Sequence, residues 1–239
     1  MAGILESLLK KSGRQSIINT AFDSEKKQVL TYFLNTGLLG GGMKDDAYKK
    51  MVITRVGALD LRTRALNKIG IDESQLKEIP PVFLHGYSFF EDGEANNYSE
   101  ELNNGTYRGT LVKIAKDGSL VSSKYDGSWL FFTDEQMLIY SYTVDLAFGG
   151  DTEEIEEFFY KDITNLTITS GKYPICDRKK DGCLGSLGAG DLTTTLIPAQ
   201  NFSIAVPQVA FRCSITGVPN AEQLLSAVRH KVREKKFST

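Results

Sequence analysis

At Pro80 and Pro81 the hydrophobic pattern of this 239-residue chain changes period, so neither an all-helical nor an all-strand architecture can accommodate both sides. Upstream the apolar residues recur at helical spacing. Ser24 stands as an N-cap before "EKKQVLTYFLN", in which Val29, Leu30, Phe33 and Leu34 share a face and Gly37 offers a stop. After "GLLGGG", one amphipathic helix is expected from Asp45 to Ile69, carrying Met51, Val52, Val56, Leu59 and Leu66. "DESQLKEI" follows, with Asp72 and Gln75 in capping-box positions, and the double proline ends it. Residues 1–79 are therefore read as a helical domain and 80–239 as a second one.

Downstream the period falls to two and turn signals recur at short intervals, the mark of an antiparallel sheet or barrel. "VFLHGYSFF", "YRGTLVKIA" and "SLVSSKY" read as strands, the last two joined across Lys116-Asp117-Gly118. Asp126-Gly127 reads as a turn into "SWLFFT", and Asp134-Glu135-Gln136 as a turn into "MLIYSYTVDL". "EIEEFFYKDI", "NLTITS", "LTTTLIP", "FSIAVP" and "VAFRCSI" bring the total to roughly nine or ten short strands. A final helix is expected to be capped by Asn220 and to bury Leu224, Leu225, Val228 and Val232, with its cations "RHKVREKK" at the end that favours them. Its expected role is to cover the open apolar end of a barrel.

The segment "GSWLFFTDEQMLIYSY", then "EEFFYKDITNLTI", later "FRCSI" and the closing helix resemble the bacterial pleckstrin-homology-like (GRAM-like) domains over about residues 82–236. In that family an apolar hairpin of the form hLTDhRLhhh (h apolar) precedes an hxDIxxh segment. The counterparts here are Phe131 to Ile139 and Phe159 to Leu166, with Gln136 where the family often has a basic residue. The resemblance implies an α+β fold: a helical N-terminal region, then an antiparallel pleckstrin-homology-like β-barrel closed by a C-terminal amphipathic helix. It also implies a binding or docking platform, since such folds serve lipids, peptides or partner domains and do not by themselves choose among them.

Chemistry is harder to read. Cys176 and Cys183 are too widely spaced for a zinc knuckle, and a closed site would have to recruit Cys213 with His85 or His230, the only two histidines. No metal or cofactor is expected. "GCLGSLGAGD" ends in Asp191 where a phosphate-binding loop needs Lys-Ser/Thr, and "GLLGGGMKDD" follows no strand. No Gly-x-Ser-x-Gly elbow occurs, and the acidic runs "EDGEANNYSEE" and "DTEEIEE" read as solvated faces. The chain is thus expected not to be an enzyme, with a site at the domain junction as the rival reading.

Two binding readings remain. Lys172, Arg178, Lys179 and Lys180 fall on what reads as one long inter-strand connection, a candidate contact for an anionic lipid surface or a small anion. Family members that bind phosphoinositides use the loop between their first two strands, where the nearest candidates are Lys113, Lys116 and Lys124. The favoured reading is a protein-interaction scaffold, with a protein partner or self-association through a sheet edge or the helices. Trp129, Phe131, Phe132, Phe158 and Phe159 are expected in the core rather than on a nucleic-acid platform, and 28 basic against 30 acidic residues give no global pull toward nucleic acid. "MAGILESLLKKSGRQS" resembles neither a secretory signal nor a span, and the three cysteines suit a reducing compartment, so a cytoplasmic protein is expected.

Overall fold

Among the described residues the first elements are three helices: α1 (Ser24–Leu34), α2 (Asp45–Ala58) and α3 (Leu61–Ile69). The computed structural model describes residues 23–34, 42–76, 80–88, 110–178, 192–207, 209–215, 218 and 221–237. The cap of α1 is Asp23 rather than Ser24. Its Oδ1 accepts the Lys26 N–H at 2.9 Å and its carbonyl the Lys27 N–H at 3.0 Å, placing a negative charge at the positive end of the helix. The single helix expected over Asp45 to Ile69 is two, because Asp60 adopts φ +43°, a left-handed conformation that Asp tolerates better than most residues. The apolar period carries on across this break, so periodicity alone overruns it. Gly70, at φ +75°, ends α3 with its N–H on the Leu66 carbonyl at 2.9 Å. Asp72 does act as a cap, accepting the Ser74 N–H at 3.1 Å, but of a short 3-10 turn, Glu73–Leu76. Residues 77–79, Gly37 and Asn220 lie outside the described residues.

Nine strands follow among the described residues: β1 (Val82–Ser88), β2 (Val112–Ile114), β3 (Leu120–Ser122), β4 (Lys124–Phe132), β5 (Gln136–Asp145), β6 (Thr152–Phe159), β7 (Asn165–Arg178), β8 (Leu192–Val206) and β9 (Val209–Ser214). Every ladder is antiparallel, in a four-stranded sheet β1-β4-β5-β6, a small pair β2-β3 and a three-stranded sheet β7-β8-β9. The hairpin at Asp117-Gly118 forms as expected, with Gly118 at φ +81° and Asp117 Oδ1 accepting the Ser119 N–H at 3.0 Å. Asp134 and Glu135 form the tight turn between β4 and β5, closed by the Thr133 N–H on the Gln136 carbonyl at 3.0 Å. Asp126-Gly127 is not a turn. The pair sits inside β4, opposite Thr143 and Tyr142, and Gly127 is required there because α3 presses on the sheet at that point.

The strands β4 and β5 are apolar on both faces, which explains why "SWLFF" and "MLIY" are nearly continuous rather than alternating. Tyr125, Phe131, Leu138 and Tyr140 belong to a core shared with Val29, Leu30, Tyr48, Val52, Leu61 and Ala65 of the helices. Leu84, Leu130, Phe132, Met137 and Ile139, on the other face, join Phe202, Ile204 and Phe211 of the three-stranded sheet. The C-terminal helix α4 (Ala221–Phe237) adds Leu225, Val228 and Val232 to that second core, as its sequence stripe foretold. The helical segment before Pro80 thus packs on the strands that follow. The fold is α+β, antiparallel throughout, with a C-terminal helix; among the described residues the three ladders stay separate and are not closed into a barrel. Among them, too, no helix is long and apolar enough to cross a membrane.

Candidate functional site

Two residues of the basic cluster, Lys172 and Arg178, sit differently from expectation. β7 does not end at Ser170 but continues through Gly171 and Pro174 to Arg178, and β8 fuses the two strands expected as "LTTTLIP" and "FSIAVP". Prolines are tolerated because, among the described residues, β7 is an edge strand, and because β9 pairs with β8 only over Asn201 to Val206, leaving Pro198 on a two-stranded arm. The backbone of Lys172 pairs with Pro198 and that of Arg178 with Leu192, so both stand on this arm rather than in a loop. Their side chains, and the whole of Lys179 and Lys180, lie outside the described residues.

Two of the three alternative lysines are drawn into the fold. Lys113 Nζ lies 3.6 Å from Asp45 and 3.9 Å over the Tyr32 ring, and the buried Lys124 lies 3.9 Å from Asp145. Lys116 alone of the three is exposed. Of the thiols, Cys213 is buried, and burial pushes its pKa well up, which suits packing rather than nucleophilic attack. Cys183 and the Cys176 side chain lie outside the described residues. His230 is exposed on α4, while His85 is half-buried with Nδ1 2.6 Å from the Tyr125 hydroxyl. Among the described residues no group of three or more His, Cys, Asp or Glu is gathered so as to hold a metal ion.

What the structure does present is an open edge. β6, "TEEIEEFF", pairs with β5 through Gln136 to Thr143, and among the described residues no strand pairs with its other side. Phe158 is buried, but Phe159, expected in the core, is 44% exposed, and Ile155 is 41% exposed. The reason is pleat and position: consecutive residues point to opposite faces, and at this edge the helices no longer cover the face that holds Ile155 and Phe159. Lys161 Nζ sits 5.6 Å over the Phe159 ring.

The strand carries Glu153, Glu154, Glu156 and Glu157. Glu153 is held to the fold, accepting the Tyr140 hydroxyl at 2.5 Å, with Arg64 Nε at 3.1 Å and Lys68 Nζ at 3.2 Å from α3. The Tyr140 hydrogen bond, with the two cations beside it, holds its carboxyl below the ordinary value. Arg64 also lies 4.9 Å over the Tyr142 ring, so α3 clamps β6 from one face. Glu154 and Glu157 are exposed. Glu156 is half-buried, and burial, then the neighbouring Glu154 charge, pushes its pKa up. β6 thus carries exposed glutamates together with two exposed apolar side chains, Ile155 and Phe159. The strand read from "EIEEFFYKDI" is present as β6, and Glu154 and Glu157 are solvent-exposed as expected of "DTEEIEE"; what the sequence does not disclose is that this strand lies at the end of its sheet, with Ile155 exposed beside them.

No family model matches the chain, and neither a curated protein nor a solved structure matches it.

Proposed function

We propose that this chain is a non-catalytic binding or assembly module of pleckstrin-homology-like plan that receives an extended basic segment of a partner protein along β6. The plan is supported by two antiparallel sheets packed through one apolar layer, by β1 and β9 running close to each other where a barrel would close, and by α4 lying on that layer. A reducing, cytoplasmic setting suits the buried free Cys213.

The observation that carries the reading is the acidic edge of β6, unpaired among the described residues, with Ile155 and Phe159 exposed. Charge argues for a partner unlike the chain itself. An antiparallel pairing of two β6 strands centred on residues 155 and 156 sets Glu154 opposite Glu157 twice, and an in-register parallel one stacks every glutamate on its copy. A strand alternating Lys or Arg with β-branched residues meets attraction instead.

The test is fluorescence anisotropy with a synthetic peptide alternating Lys and Val, and hydrogen exchange of the β6 amides with and without it. Binding with added protection of residues 152–159, lost in the Glu154→Lys/Glu157→Lys variant, is the expected result. Absence of binding, or binding that leaves those amides unprotected, would remove β6 as the docking edge.

A further inference from the structure

Helix α4 sorts its cations by face. Lys231 pairs with Glu234 at 3.2 Å, and Lys235 with Asp134 at 2.9 Å. Arg229, Arg233 and Lys236, spaced i, i+4 and i+7, share another face, and none of them forms an ion pair with an Asp or Glu among the described residues. Lys236 Nζ donates to the Ile163 carbonyl at 2.7 Å, which fixes its charge beside the start of β7. These three cations line a cavity of about 290 Å³ between α4 and residues 163–166, and among the described residues no carboxylate lines it. Ile163, Leu166 and Val232 give it apolar walls, and Phe237, 78% exposed, stands at its rim.

Favourable placement at a helix C-terminus accounts for cations in the last turn, which holds Lys235 and Lys236. It does not account for Arg229, two turns earlier. Like charges at i and i+4 also repel on a helix, so the Arg229–Arg233 pair is unfavourable until an anion lies between them. Guanidinium groups match the oxygens of phosphate bidentately, and apolar walls favour an organic substituent over a bare ion.

We propose that this cavity binds a phosphate group carried on a small apolar body, either a soluble phosphomonoester or a lipid headgroup. The site is separate from the β6 edge and does not depend on it.

Titration calorimetry with phenyl phosphate and with inorganic phosphate, alongside flotation on phosphatidylcholine vesicles with and without phosphatidate, tests this on the full chain. Wild type should bind phenyl phosphate more tightly than inorganic phosphate. Arg229→Gln/Arg233→Gln should weaken it roughly tenfold or more, through loss of charge-assisted hydrogen bonds. Lys231→Gln/Lys235→Gln, which removes equal charge from the same helix, should bind as wild type does. Arg233→Gln alone, at an exposed position, should give a partial loss and covers the case in which the double variant does not fold. Flotation on phosphatidate vesicles that disappears in the arginine variant assigns the phosphate to a lipid; phenyl phosphate binding without flotation assigns it to a soluble ester. No binding of any probe, or equal loss in the two double variants, would overturn the site.

Discussion

Leu61 Cδ1 stands 2.8 Å from the place a Cβ on residue 127 would occupy, and the Phe83 ring closes that space from the other side at 3.2 Å. Gly127 is the point at which α3 rests on β4. The Gly127→Ala variant is therefore expected to lose about 1–3 kcal/mol of stability through overpacking. In a Leu61→Ala background, where the opposing methyl is gone, the added penalty should shrink, a coupling that urea unfolding of the four members of the cycle would measure.

Tyr48 is fully buried, its ring stacked on Tyr32 at 4.4 Å and its hydroxyl donating to the Ser122 carbonyl at 2.5 Å. Burial pushes its pKa well up, so the phenol stays a donor at any ordinary pH. Tyr48→Phe should keep the fold and lose about 1–3 kcal/mol, because the Ser122 carbonyl is left without that donor. Chemical denaturation with a near-ultraviolet circular dichroism readout checks both halves of the expectation.

His85 gives the stability curve a sign. Burial lowers its pKa, so as pH falls the unfolded chain takes up this proton before the folded chain does. The contribution is whole above the unfolded value of about 6.5 and is lost as pH drops through it toward the folded value. The urea midpoint should fall between pH 7.5 and 5.5, and His85→Asn should flatten that fall.

Lys124 and Asp145 form a buried pair, each side chain 9% exposed. Burial raises the Asp145 pKa, opposed by the Phe148 N–H at 2.8 Å and by the Lys124 charge. This group's contribution is thus complete below the unfolded carboxyl value and lost as pH rises through the folded one. Removing the lysine leaves the carboxylate less compensated, and Lys124→Met is expected to cost about 3 kcal/mol at neutral pH. The deficit should narrow at pH 4, which thermal melts at the two pH values would show.

The sequence disclosed its elements where a local rule and the tertiary need agreed. The Asp117-Gly118 hairpin, the turn at Asp134 and the stripe Leu225, Val228, Val232 all follow from chemistry within a few residues. It misled where a residue type has two uses. Asp126-Gly127 looks like a turn because glycine permits one, yet this glycine answers to Leu61, distant in sequence. Pro174 and Pro198 look like strand ends, yet edge positions excuse them. The basic cluster was legible as charge, but that the backbone of Lys172 and Arg178 belongs to a β-arm was not. Phe159 was assigned to the core because its type belongs there, and only the sheet order, which makes β6 an edge, exposes it.

Because β4 and β5 are walled by apolar side chains on both faces, neither half of the molecule owns them. A chain started at Pro80 would lay Phe131, Leu138 and Tyr140 open to water, so it should precipitate rather than report on the remaining half. The amides of Leu130, Phe131, Leu138 and Ile139 accordingly have no partial opening through which to exchange their protons. They should be among the slowest in the molecule, released at the free energy of complete unfolding, and the two cores should melt in one transition.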